Sequence, residues 1–233
     1  FLPVVITQRV LQKMGLDLAR IKAKQTNLNP QEIGDDQARA RQWRKSGANP
    51  VFDEGEVAAM AAAGVKRLSD MQLSDGGWGW FSGYGESSYP HTTAIVVHGL
   101  LAAKAHGAEV SDAMLTQGIN WLLAHERKQT AALQLFVERE ALRKEGRILK
   151  PDNKYEKQRG DAMDAFVRLV LGEAGRDSEP MLAFLHRDRV ELPVYAQCLV
   201  GLEHHRMGDT SRRDELVRMV SQFLKQDAEN QTA

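Results

Sequence analysis

The residues Gln72-Leu73-Ser74-Asp75-Gly76-Gly77-Trp78-Gly79-Trp80-Phe81 concentrate the chemical potential of this chain. Asp75 is a short carboxylate that can accept a hydrogen bond from the backbone ahead of it, as in an Asx-type turn. Gly76, Gly77 and Gly79 open backbone conformations closed to other residues. Trp78, Trp80 and Phe81 then supply apolar surface that could lock helix ends together or line a reactive or binding surface. Tyr84, Tyr89 and His91 follow. A tyrosine and a histidine near a helix start could orient a nucleophile or a leaving group; a surface histidine with ordinary partners is the plainer reading.

The other reactive side chains carry less. The chain has one cysteine, Cys198, which excludes an internal disulfide framework and any multi-cysteine metal or iron–sulfur site. Its apolar helical surroundings read as those of a buried small hydrophobe. His91 and His98 are seven apart and could share a helix face, but no third ligand is implied, so no metal is expected. His204 and His205 face different sides of one helix. Asp161 and Asp164 share a face and read as capping and solvating a helix start. The charge run Glu138–Lys157 reads as a solvated face. No catalytic residue and no cofactor is expected.

Helices must position the aromatic segment. Glu54–Met71 places Val57, Met60, Ala61, Gly64, Leu68 and Met71 in one apolar stripe, with Asp53 as its cap. Thr92–Ala105, Ser111–Glu126, Ala131–Glu145, Asp161–Glu173, Met181–Arg187, Val194–Met207 and Arg212–Lys225 continue the series. Val4–Met14 and Asp35–Lys45 complete about ten helices, and no alternating strand pattern is present. Gly15, Gly107, Gly175 and Gly208 each follow a helix as C-cap signals, with Ser111, Ser178 and Thr210 or Ser211 as the next N-caps. Gly99 and Gly201, in mid-helix, imply close helix packing. Two segments break the rhythm: the polar Asn27–Pro50, and 144–160, a charged excursion between helices. Echoing hairpins predict an all-α fold, either an α-solenoid or a closed α/α toroid.

Composition narrows the classes. The chain has 233 residues, long enough for a real core, with Lys+Arg 31 and Asp+Glu 31. Zero formal charge argues against a nucleic-acid partner or direct contact with an anionic membrane. Apolar runs such as Ala94–Val97 and Gly99–Ala103 are too short to span a bilayer. Phe1-Leu2-Pro3-Val4-Val5 reads as the inside of a structure, and the chain is expected to be a fragment of a larger multidomain protein.

Met71-Gln72 and Asp75-Gly76-Gly77-Trp78-Gly79-Trp80-Phe81, followed by Thr93-Ala94-Ile95-Val96-Val97-His98-Gly99-Leu100, resemble the thioester-containing helical domain of bacterial alpha-2-macroglobulins. Complement thioester domains are more distant relatives. Gly118-Ile119-Asn120-Trp121-Leu122 and Tyr195–Gly208 extend the likeness over most of the chain. The resemblance implies an α/α toroid, incomplete at both ends, with 1–233 as a single domain. It implies a non-enzymatic part of a protease-trapping endopeptidase inhibitor of the periplasm, the cell envelope or the exterior. The implied partners are neighbouring domains of the parent protein and, through it, target proteases. The family's thioester joins a Cys to a Gln three residues on in Cys-x-Glu-Gln, whereas Cys198 is followed by Leu199, Val200 and Gly201. The reactive pair is therefore expected outside residues 1–233, with Asp75, Gly76, Gly77, Trp78, Trp80, Phe81, Tyr84, Tyr89 and His91 as a thioester-proximal or structural aromatic loop.

Two other classes stay open. Similar Asp-Gly-Gly-Trp-Gly loops recur in triterpene cyclases and protein prenyltransferase β subunits, which share the toroid. A terpene cyclase-like enzyme would need an Asp-x-Asp-Asp acid that this chain lacks, and any cyclase, lyase or prenyltransferase-like enzyme on this toroid would need acids or zinc ligands converging on the central cavity. A helical-repeat protein-binding scaffold would need an open superhelix.

Overall fold

The computed structural model describes residues 1–23, 50–81, 85–147 and 156–224. Among them are nine α-helices, two single 3-10 turns (Pro50–Phe52 and Arg189–Glu191) and no strand, so the protein is all-α. The helices are α1 (Leu2–Lys13), α2 (Leu18–Ala23), α3 (Glu54–Asp70), α4 (Pro90–Ala105), α5 (Asp112–Lys144), α6 (Ala162–Glu173), α7 (Glu179–Arg187), α8 (Val194–Arg206) and α9 (Thr210–Ser221). The helix expected over Asp35–Lys45, the polar segment up to residue 49, Tyr84 and the middle of 144–160 lie outside the described residues.

The helix stops follow the glycines. Gly15, Gly107, Gly175 and Gly208 take φ between +69° and +92°, where a side chain would be strained. At the end of α6, Gly175 N donates to Gly172 O (2.9 Å) and Arg176 N to Leu171 O (2.8 Å), which satisfies carbonyls the helix leaves open. Gly146 ends α5 in the same way at φ +72°. The starts follow the acids. Asp53 Oδ1 accepts from Glu56 N at 3.0 Å, and Asp161 and Asp164 form a reciprocal capping box on α6. Asp209, rather than Thr210 or Ser211, caps α9 by accepting from Arg212 N. Ser178 stands at the N-cap of α7 without a side-chain capping bond.

One division expected from sequence does not occur. Ser111–Glu126 and Ala131–Glu145 are a single helix of 33 residues. The intervening Arg127-Lys128-Gln129-Thr130 contains neither Gly nor Pro, so nothing stops the helix. Thr130 turns its hydroxyl back onto Glu126 O at 2.9 Å, which satisfies it within the helix.

The chain forms two compact units: Phe1–Asp70 with Gly99–Ser111, and Met71–His98 with Asp112–Ala233. In the first, Val5, Val57 and Ala61 form a small core with Phe1, Val4 and Ala108 packed on it. The Phe1 ring lies against Gly64 with no room for a Cβ, and a Cβ on Gly99 would stand 3.3 Å from Leu2. Met60, expected in the α3 stripe, is exposed over about a third of its surface (36 %), because the buried line runs Val57–Ala61–Val65.

In the second unit, α6 packs on α5, α7 and α8, and α8 packs on α9. Its core joins Leu133, Ala165, Met181, Leu182, Leu185, Leu192, Ala196, Leu199, Val200 and Leu216. Cys198 is exposed, contrary to expectation. The buried face of α8 runs through Ala196, Gln197, Val200, Gly201 and His204, and Cys198 faces away with Tyr195 and Leu202.

Candidate functional site

The Gln72–Phe81 turn is built around the Asp75 carboxylate. Oδ1 accepts from Gly77 N (3.1 Å) and from Ser88 Oγ (2.6 Å), and Oδ2 accepts from Trp121 Nε1 (2.9 Å). Burial alone would raise the pKa of this group. The hydrogen bonds from Ser88, Gly77 and Trp121 outweigh burial and hold the carboxyl below its ordinary range. Gln72 Nε2 donates to Gly76 O (2.8 Å) and Met114 O (3.0 Å), which ties the turn to α5. Gly76 has φ +91°, and a Cβ there would also meet Gln117 O at 2.9 Å. Gly77 and Gly79 pass so close to Ser88 and Glu86 that neither has space for a side chain.

The turn points its aromatic rings in opposite senses. Trp78 is 2 % exposed. Its backbone N donates to Thr93 Oγ1 (2.9 Å), and its carbonyl accepts from Tyr89 N (2.9 Å). Its ring covers Gly118 of α5 beside Val97 of α4; a Cβ on Gly118 would lie 2.7 Å from the indole and 2.8 Å from Val97. Gly118→Ala is therefore expected to overpack this contact and to cost about 1–3 kcal/mol, read by urea denaturation. Unchanged stability would mean that the ring is free to move aside.

Trp80 (62 % exposed) and Phe81 (76 %) face solvent, with Tyr89 (43 %) beside them. The Trp80 and Tyr89 rings meet edge to face at 6.1 Å. Phe81 N is held by Glu86 Oε2 at 3.1 Å, so the exposed rings sit on a fastened backbone. His91 is exposed and its ring lies 6.1 Å from that of Phe166. His98 packs on the same ring at 6.3 Å and places Nδ1 2.6 Å from Glu173 Oε2. No group of three or more metal-ligating side chains occurs among the described residues.

Sequence reasoning missed the buried charges of the second unit. Arg168, 1 % exposed, donates through Nη1 to both oxygens of Glu126 (2.8 and 3.0 Å) and through Nε to Glu203 Oε1 (3.1 Å). It also reaches Arg176 O. Arg206 donates to both oxygens of Glu203 (2.9 and 2.8 Å) and to Asp177 (2.5 Å). Burial pushes the Glu126 carboxyl up, and Arg168 pulls against it. The available signal was an arginine in register with Ala165 and Leu171 on an apolar helix. Asp164 is buried too, rather than solvated, and pairs with Lys157 Nζ at 2.8 Å. These groups brace the helices against one another.

An all-α chain carrying an aromatic Asp-Gly-Gly-Trp turn is the class that these observations define. No family model matches it. The alpha-2-macroglobulin of Thermotoga maritima is 39% identical over 62 residues, which are 27% of this chain and 4% of that protein. A crystal structure of native alpha-2-macroglobulin from Escherichia coli, spanning domain MG7 to the C-terminus, matches with a TM-score of 0.55 at 20% identity. The match covers 84% of this chain and 27% of that one, so the chain shares the fold of part of that structure. Both similarities point to bacterial alpha-2-macroglobulins, of which the chain spans a small part.

Proposed function

We propose that this chain is a helical thioester-type domain of a larger alpha-2-macroglobulin-like protein that traps proteases, and that it is not itself an enzyme. The observation that carries the reading is the fastened exposed cluster of Trp80, Phe81 and Tyr89. An acyl–sulfur bond that must survive until triggered needs a dry, apolar cover. Rings presented on a braced turn supply such a surface, and a group of exposed rings marks a contact site. Trp78 takes no part in the cover, since it is spent on packing. In this reading the whole of 1–233 belongs to one domain with the hairpins arranged as a toroid. The thioester is carried by flanking sequence, neighbouring domains are the direct partners, and the parent works in the envelope or outside the cell. No described helix is long and apolar enough to cross a membrane.

The test is covalent capture. The gene product that carries this chain, mixed with a broad-specificity protease, should give conjugates that survive denaturing electrophoresis. Failure to capture any protease would favour the helical scaffold. The 233-residue chain by itself should gain no methylamine by intact mass, because Cys198 has no Gln three residues on. An adduct on Cys198 or on any Gln would overturn this assignment.

A further inference from the structure

We propose that His186 and His204 form an acid-operated latch that holds α9 against α7 and α8 while both rings are neutral and releases it when they are protonated. His186 lies in the last turn of α7 and His204 in the last turn of α8. Their rings meet edge to face, with centroids 5.1 Å apart. His204 is 1 % exposed, and its Nε2 is buried without a partner, as is His186 Nδ1. Each imidazole has one polar contact on the α9 side: His204 Nδ1 lies 3.4 Å from Asp209 Oδ2, and His186 Nε2 lies 3.3 Å from Glu215 Oε2.

Those two carboxylates are already committed. Asp209 caps α9 through Arg212 N at 3.1 Å and faces Arg212 Nη1 at 3.5 Å. Glu215 Oε1 accepts from Arg189 Nε (2.8 Å) and Nη2 (2.6 Å), with Arg218 also acting on it. The acid on the α8 side, Glu203, is held by Arg168 of α6 and by Arg206. Two imidazoliums 5.1 Å apart would therefore add positive charge beside Arg189 and Arg212, and the carboxylates that face them, Asp209 and Glu215, already pair with those arginines. Burial is the largest influence on both rings and lowers both pKa values; Arg189 and Arg212, and for His204 the His186 ring, act in the same direction and together outweigh Glu215, Asp209 and Glu203, which favour the protonated forms. The sign follows from linkage. An unfolded histidine takes its proton near pH 6.5, whereas the folded rings resist it, so the contact is intact above ~6.5 and is lost as pH falls below that.

Amide hydrogen exchange on the whole 233-residue chain tests the latch at pH 7.5 and pH 5.5, corrected for intrinsic rates. The expected result is a loss of protection in α9 at the lower pH that exceeds the loss in α3 by about tenfold or more, since each histidine that binds a proton on opening contributes up to about tenfold per pH unit. The double variant His186→Gln/His204→Gln should hold α9 protection level across the same range. If that variant does not fold, nuclear magnetic resonance titration of the wild-type rings decides, and both should stay neutral through pH 6.5. Exchange in α9 that tracks α3, an unchanged acid response in the folded variant, or either ring titrating at or above pH 6.5 would overturn the proposal.

Discussion

Trp78→Ala is expected to lower the melting temperature steeply, whereas Trp80→Ala leaves it nearly unchanged. Two residues of the same type, two positions apart across Gly79, thus give opposite results. The Trp78 indole is fully enclosed over Gly118 and Val97. Truncating it leaves a cavity that a glycine cannot fill, at a cost of about 3–5 kcal/mol. For a domain of this size that is roughly 6–20 °C in melting temperature. The Trp80 ring meets Tyr89 but is mostly in water, so its loss removes little buried surface. Thermal denaturation followed by far-ultraviolet circular dichroism reads both variants. Equal melting temperatures for Trp78→Ala and the parent would show that the turn is not anchored through this ring.

Arg168→Met is the second large effect. The change keeps most of the side-chain length but strips the charge from between Glu126 and Glu203. Two buried carboxylates then face each other, with Arg206 still on Glu203 and no cation on Glu126 except by rearrangement. Removing one partner of a buried ion pair costs about 3–5 kcal/mol. The cost should depend on pH. Burial already raises the Glu126 pKa, and losing Arg168 leaves the Ser178 hydrogen bond to pull it down. The folded value, already above the unfolded one, then rises further. Glu126 therefore destabilises the fold at neutral pH and is relieved as pH falls and it takes up a proton. Urea denaturation should show a larger deficit for Arg168→Met at pH 7.5 than at pH 5. A deficit equal at the two pH values would mean that the carboxylates are not left unpaired.

The legible parts of this fold are those set by local chemistry. Gly15, Gly107, Gly175 and Gly208 stop helices because they alone enter the left-handed region cheaply, and Asp53 and Asp161 start them because their oxygens reach the N–H groups ahead. The Asx geometry of Asp75 on Gly77 belongs to the same class. Long-range choices were not legible. Whether Trp78 or Trp80 turns inward depends on Gly118, forty residues away in α5, and on the Thr93 hydroxyl. The continuity of α5 depends on the absence of a stop signal, which a reading by apolar faces overlooks where charged residues interrupt the stripe. Arg168 reads from sequence as an interruption of an apolar face, and only Glu126 and Glu203, from two other helices, make it a core residue. Cys198 was misplaced for a related reason: on an apolar helix, a shift of one position turns a side chain by about 100°, out of the core.

The proposed function divides the labour within the turn: Trp78 anchors it, and Trp80, Phe81 and Tyr89 are proposed to cover a neighbouring reactive group. The most direct measurement is the rate of methylamine incorporation into the full gene product that carries this chain, comparing the native sequence with Trp80→Ser/Phe81→Ser. The two exposed rings can be removed with little loss of buried surface, so the variant should melt like the parent and react with methylamine several times faster. Equal rates in two equally stable proteins would contradict the account and leave the exposed rings without a shielding role.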